Sequence, residues 1–398
     1  MLRKISADKI FPVGSAPIKN GVVVIDKNGT ILDISTREKF DSAELENYTG
    51  VLVPGFINTH CHLELSHMKG KIPAGTGLLG FIGNVVKNRK ADAEVVQDAV
   101  EKAENEMLET GVVAVGDISN VTDSFAQKQK GNLYYYTFVE FFDLFQDSNA
   151  QKIYEQYSAV YDAMPVTEKL KKSKVPHAPY SVSRTLFELL LRHAEHASGS
   201  AETISVHNQE TPPEDELFMT KTGGFIDFYK GFNLSTETIP LLKKSSIHYA
   251  LEYLSPKNKT LFVHNTQAQE ADIAAAHQKL GAENCFWATC PNANIYIENK
   301  LPDYRIFIDA GANMTIGTDS LTSNWQLNIL EEMKTILQHN PDLEFETVLR
   351  WATINGAQAL GWDQQLGSFE IGKQPGIVLI ENMENGKLTN QSKSKRLA

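Results

Sequence analysis

The chain has 398 residues, 42% of them hydrophobic and 22% charged, which suits a globular protein with room for a barrel of about 250 residues and a smaller accessory unit. A formal charge of −11 provides no basic surface for nucleic acid, and no apolar run approaches the roughly 18 residues of a membrane span. The expected partner is therefore a small-molecule substrate, with neither nucleic acid nor membrane.

From Lys4 to Val53 the pattern is strand-like: Lys9–Phe11, Gly21–Asp26 and Thr30–Ile34, with Asp26-Lys27-Asn28-Gly29 as a hairpin turn. The stretch from Gly367 to Ile380 is again strand and turn. So few strands bury too little by themselves, so residues 1–53 and 366–390 are expected to form one composite β-sandwich. The polar, basic segment 391–398 reads as a disordered tail.

Between these ends, apolar strands alternate with amphipathic stretches. The strands are expected at Val51–Asn58, Val112–Ile118, Leu133–Phe141, Lys174–His177, Thr203–His207, Thr260–His264, Cys285–Thr289 and Asn313–Thr318. Apolar spacings of three and four place helices at Ala91–Thr110, Arg184–Ala197, Glu270–Leu280, Leu327–His339 and Phe345–Leu360. Gly111, Gly281 and Gly361 sit where helix C-caps belong. Eight such units over residues 54–365 predict an α/β fold, a (β/α)8 barrel with its active site at the C-terminal strand ends.

The chemistry-bearing residues fall at those ends. His60 and His62 flank Cys61 at the end of the first strand, and the i,i+2 spacing sends both imidazoles to one side. Such pairs occur by chance in many proteins, but His207 ends the fifth strand and Asp319 follows the eighth. Three neutral nitrogens and one carboxylate suit Zn²⁺ and tolerate Fe²⁺, leaving a position for a water whose pKa falls to about 7. Glu210, three residues past His207, is placed to act as a general acid, and Asp319 to remove the water's proton. His264, ending the sixth strand, reads as a second-metal ligand, a structural histidine or the group that orients the nucleophile, and the last is preferred. His177, ending the fourth strand, reads as a substrate contact. His193 and His196 lie at i,i+3 spacing on an outer helix and are assigned no role.

Together these motifs resemble the amidohydrolase superfamily. The resemblance covers Pro54–His62, His207 with Glu210, His264, Cys290-Pro291-Asn292-Ala293-Asn294, Gly317-Thr318-Asp319-Ser320, Ala352–Ala357 and the Gly372-Lys373 turn. It is nearest the branch of cytosine, guanine and adenosine-derivative deaminases and chlorotriazine hydrolases. It implies a metal-dependent barrel hydrolase in which Glu210 protonates a ring nitrogen. Two-metal members often carry a bridging lysine on the fourth strand; Lys174 comes too early to match, so one metal is expected. Ala293 stands where a serine is usual, which removes a hydroxyl contact and not the chemistry.

The expected reaction is deamination of an aromatic heterocycle. Its rivals are hydrolysis of a cyclic amide or carbon–halogen bond by a two-metal enzyme, and a scaffold without catalysis. His60–Ser66 and Pro176–Tyr180 are most similar to members acting on adenosine derivatives, including aminodeoxyfutalosine deaminases, with guanine and cytosine derivatives as the alternative. In that reading Glu64 and His177 contact the substrate, and a substrate carboxylate would call for an arginine, Arg89 or Arg184. The resemblance also implies a homo-oligomer, a dimer first of all. Three cysteines, Cys61, Cys285 and Cys290, at no disulfide-framework spacing and without a cationic leader and apolar core before them, point to the cytoplasm.

Overall fold

The computed structural model describes residues 2–196 and 202–398. Eight parallel strands form its centre as two four-stranded sheets. One runs Phe56–Cys61, Val112–Ser119, Tyr134–Phe141 and Leu170–Pro176; the other runs Thr203–Asn208, Lys259–His264, Cys285–Thr289 and Asn313–Ile316. Within each sheet neighbours in sequence are neighbours in space, as expected of strands linked by helical crossovers. Most positions on both faces of these strands are buried, which explains their largely apolar composition; Leu170–Pro176, with three lysines, is the exception.

The two sheets meet along both edges. Between the fourth and fifth strands, Ser173 Oγ donates to the Thr203 carbonyl at 2.7 Å and the His207 amide to the His177 carbonyl at 2.9 Å. Between the eighth and first, the amides of Thr318 and Asp319 both donate to the His60 carbonyl at 3.0 Å. Gly317 permits that approach, since a Cβ there would stand 2.7 Å from His60 Cβ.

The crossover helices follow their apolar spacing. Ala93–Thr110 buries Val96, Val100, Ala103 and Met107 on one stripe and ends at Gly111, whose φ of 102° a side chain would resist. Glu270–Leu280 forms as expected, and so does Arg184–His196; the expected end at Ala197 lies outside the described residues, as does the side chain of His196. The expected helix Phe345–Leu360 is two, Phe345–Ala352 and Ile354–Leu360, broken at Thr353. No helix among the described residues is long and apolar enough to cross a membrane.

The chain ends meet in two further sheets. One orders Ile31–Thr36, Gly21–Ile25, Arg3–Ser6 and Glu46–Asn47; the other orders Lys393–Arg396, Ile377–Glu381, Val51–Pro54, Lys9–Ile10 and Ile18–Lys19. Ile5, Val23, Ile25, Leu52, Phe369 and Leu379 share a small core of their own. The expected strand Val51–Asn58 is thus split at Gly55, its first half pairing with Ile377–Glu381 and its second joining the central strands. Where a disordered tail was expected, Lys393–Arg396 is an edge strand. It pairs antiparallel with Ile377–Glu381, and its lysines face solvent as edge positions allow.

Candidate metal and catalytic centre

His60 and His62 approach each other as their spacing demands: their Nε2 atoms lie 3.1 Å apart, and the ligating atoms of His60, His62 and His207 all fall within 4.8 Å of one another. Asp319 Oδ1 stands 3.3 Å from His62 Nε2 and 3.7 Å from His60 Nε2. The fifth and eighth strands thereby deliver His207 and Asp319 to the pair from the first.

Asp319 and the backbone after His62 are held from behind. Asn58 clamps the Asp319 turn, its amide donating to Thr318 Oγ1 at 2.8 Å and accepting from the Thr318 amide at 3.1 Å. Ser323 Oγ donates to Asp319 Oδ2 at 2.6 Å. Asp319 and His264 both take positive φ, 57° and 76°, a strained backbone that the packing around them enforces. Below His62, the Leu63 amide donates at 2.7 Å to Asp117 Oδ1, and Lys128 Nζ pairs with Asp117 Oδ2 at 2.6 Å, out of reach of solvent.

The electrostatics favour a cation among these groups. Burial lowers the His60 pKa to about 3 and takes His62 well below its ordinary value, so both rings present lone pairs. Burial opposes the charge of Asp319, yet the surrounding imidazoles hold it well below the usual carboxylate range. His207 differs: burial pushes its pKa down, but Glu140 Oε1, 3.1 Å from Nδ1, raises it to about 9. A proton on His207 and a metal on its inner nitrogen are alternatives in the same negative field. Neutral nitrogens, one carboxylate and a deep acidic surround fit a divalent ion of zinc type.

Glu210 sits between His207 and the helix Pro212–Thr220. Its own amide and that of Gln209 donate to the buried Glu214 carboxylate at 3.0 and 2.9 Å, and its carbonyl accepts from Thr266 Oγ1 at 2.7 Å. This aims the side chain inward, with Oε1 3.6 Å from His264 Nε2. Burial raises the Glu210 pKa to about 8, which keeps the carboxyl protonated at neutral pH. His264 is fixed in turn by Asn294, whose Oδ1 accepts from Nδ1 at 2.8 Å. Ala293 is buried and contributes no hydroxyl.

A cavity of about 370 Å³ opens onto this floor and is lined by His62, Glu64, Arg89, Glu140, His177, Glu210, His264 and Asp319, among others. Glu64 is buried; it accepts from the amides of Asn120 at 3.0 Å and Val121 at 3.2 Å and faces Arg89 at 3.6 Å. Burial still raises its pKa to about 8. His177 Nδ1 lies 2.7 Å from Ser181 Oγ. Arg184 is not in the cavity. It begins an outer helix, and its exposed guanidinium pairs with Glu188 at 2.9 Å, because the turn Pro179–Ser181 has already carried the chain away from the strand end.

Sequence reasoning passed over Glu140. It lies behind His207, whose Nδ1 donates to the His177 carbonyl at 3.0 Å and stands 3.1 Å from the Glu140 carboxylate. The available signal was a lone carboxylate in the otherwise apolar run Tyr134–Phe141. Lys174 Nζ, conversely, donates to Ser158 Oγ at 2.8 Å and Tyr154 Oη at 3.2 Å on an outer helix.

The profile of the amidohydrolase family matches residues 51–396. An adenosine deaminase of Helicobacter pylori is 32% identical over 335 residues, 83% of this chain and 78% of that protein. An aminodeoxyfutalosine deaminase of Nitratiruptor is 28% identical over 387 residues, 94% of this chain and 89% of that protein. Among solved structures, the Helicobacter pylori aminofutalosine deaminase in complex with methylthio-coformycin superposes with a TM-score of 0.83 at 26% identity, covering 100% of both chains. With its metal-type constellation in place and the family profile running from the strand before His60 to the final strand, the chain belongs to the amidohydrolase family.

Proposed function

We propose that the protein is a metal-dependent aminohydrolase that replaces the 6-amino group of a purine nucleoside with oxygen and releases ammonia. The observation that carries this reading is the placement of Glu210, a buried carboxyl whose Oε1 lies 3.6 Å from His264 Nε2 on a cavity floor shared with Asp319. A hydrolase that only splits an amide has less need of an acid poised over a ring nitrogen. The relatives described as deaminases of adenosine and aminodeoxyfutalosine support the nucleoside class.

His60, His62, His207 and Asp319 would hold the ion, which when bound would supply a Lewis acid that lowers the pKa of water to about 7. Lys174, turned outward, supports one ion and not two, and we take it to be zinc. Asp319, steadied at Oδ2 by Ser323, accepts a proton from the attacking water. His264, fixed through Nδ1 by Asn294, orients that water toward the ring carbon with Nε2. Glu210 gives its proton to the adjacent ring nitrogen, the amine leaves as ammonia once it has gained the proton that Asp319 took from the water, and the new hydroxyl returns its remaining proton to Glu210 as it becomes the oxo group. Glu64, Arg89 and His177 line the cavity above and are the proposed contacts for the nucleoside.

The hydrogen bonds along both edges of the paired sheets support a closed (β/α)8 barrel, and the shared end sheets support a composite sandwich. Free, buried Cys61, Cys285 and Cys290 support a reducing, cytoplasmic compartment. Ammonia release across aminated purines, nucleosides, pyrimidines and pterins tests the function. Adenosine derivatives are expected to turn over fastest; faster turnover of guanine or cytosine than of every adenosine derivative refutes the proposal.

A further inference from the structure

The pairing of the seventh and eighth strands runs to Thr289 opposite Ile316, where the Gly317 amide donates to the Thr289 carbonyl at 2.9 Å. Beyond that point the chain forms two separate turns. One opens the helix Pro291–Glu298 and carries Asn294, which holds His264; the other carries Asp319. Both turns reach the same side chain, Glu332.

Glu332 belongs to the buried stripe of the helix Ile329–His339, among Ile329, Leu330, Met333 and Ile336, and is itself fully buried. A carboxyl placed there loses its hydration, and hydrogen bonds must take the place of the water. They come from two directions. The Asn292 amide donates to Oε2 at 2.9 Å and Asn292 Nδ2 to Oε1 at 3.0 Å. Asn324 Nδ2 donates to Oε1 at 2.8 Å and also to the carbonyl of Thr318, the residue before Asp319, at 2.7 Å. Thr335, one turn along from Glu332, donates to Asn292 Oδ1 at 2.6 Å, so the helix grips both ends of that side-chain amide. Asn292 and Asn294 share the first turn of their helix, so holding one places the other.

We propose that Glu332 is a positioning residue, a clasp that joins the two turns and fixes the spacing at which His264 and Asp319 face the attacking water; the inference rests on the roles given to those two residues above. A misplacement of about 1 Å in such groups costs on the order of 10²-fold in rate. The proposed substrate contacts Glu64, Arg89 and His177 come from other strands, so the clasp acts on turnover and not on substrate binding.

Glu332→Gln keeps the shape of the side chain, but its nitrogen meets donors where an oxygen accepted. In the full-length, zinc-loaded enzyme, kcat per bound metal ion for the adenosine derivative that turns over fastest is expected to fall about tenfold or more, with KM within about twofold of wild type. Glu331→Gln, the neighbouring acid paired with Lys334, is expected to leave both constants unchanged. Asn324→Ala cuts the arm to Asp319 alone; it should lower kcat, and its effect should not add to that of Glu332→Gln. Hydrogen exchange without substrate gives a second readout: Glu332→Gln should speed exchange in peptides covering both 290–298 and 317–327, and Asn324→Ala in 317–327. Wild-type kcat per metal ion in folded Glu332→Gln, additive effects of the two variants, or faster exchange in only one of the two peptides of Glu332→Gln overturns the clasp. If Glu332→Gln does not fold, Asn324→Ala decides alone, and wild-type kcat in that variant overturns it. A wild type that deaminates no adenosine derivative overturns the nucleoside reading instead, and the exchange of the two peptides still decides the clasp.

Discussion

Replacing Lys128 with methionine removes the cation from an ion pair that has no exposure to solvent on either side. Lys128 Nζ lies 2.6 Å from Asp117 Oδ2 and also donates to Ser119 Oγ at 2.9 Å and Thr137 Oγ1 at 3.2 Å. Both hydroxyls can turn to other partners, but the carboxylate cannot follow its charge into water. Burial already pushes the Asp117 pKa up against the pull of Lys128, so without the lysine the acid must be buried unpaired or take up a proton. Breaking a buried pair from one side costs about 3–5 kcal/mol, whereas replacing both partners with uncharged groups of similar shape costs much less. Lys128→Met is therefore expected to lower stability by about 3–5 kcal/mol, and Asp117→Asn combined with Lys128→Met to recover part of it. Because Asp117 Oδ1 holds the Leu63 amide directly after His62, the single variant should also bind zinc more weakly. Urea titration followed by tryptophan fluorescence, with a chelator competition for zinc, measures both. A loss under about 1 kcal/mol, or a double variant as unstable as the single, would refute the reasoning.

Glu140→Gln is expected to weaken zinc binding about 10–100-fold while the protein stays folded, because the carboxylate that orients His207 from behind is neutralised. Chelator competition checks this, and unchanged affinity counts against it. Gly317→Ala brings a methyl group within 2.7 Å of His60 Cβ and 2.9 Å of the His60 backbone, so the first strand must shift. Metal content per chain should fall below half of wild type in purified protein; full loading would show that the strand edges yield more easily than their hydrogen bonds suggest.

The strand-end residues were legible because strand geometry converts spacing into direction. His60 and His62 at i,i+2 had to converge, and a histidine or aspartate closing an apolar strand stands out from its neighbours. Glu140 was not legible because its meaning lies in His207, two strands away in the sheet order, and a lone acid within Tyr134–Phe141 does not announce a partner. Helices Gly77–Asn88 and Gly224–Gly231 begin among Gly75, Gly77, Gly223 and Gly224, residues whose backbone freedom hides a helix start. Arg184 illustrates the opposite error. Its distance from His177 along the chain was right for a substrate contact, but sequence distance carries no direction across the turn Pro179–Ser181. The edge strand Lys393–Arg396 looked like a tail because an edge strand needs a partner more than it needs apolar residues, and the partner, Ile377–Glu381, supplies most of the buried surface.

The central claim is that Glu210 moves the proton that turns a metal site into a deaminase. The direct measurement is turnover of a 6-aminopurine nucleoside by Glu210→Gln, with metal content determined on the same sample. The glutamine keeps the size of the side chain and cannot donate an acidic proton. Loss of a general acid lowers kcat about 10²–10⁴-fold, so the variant should hold as much metal as wild type and lose turnover by at least the lower of those factors. A fully loaded Glu210→Gln enzyme with turnover close to wild type would contradict the account.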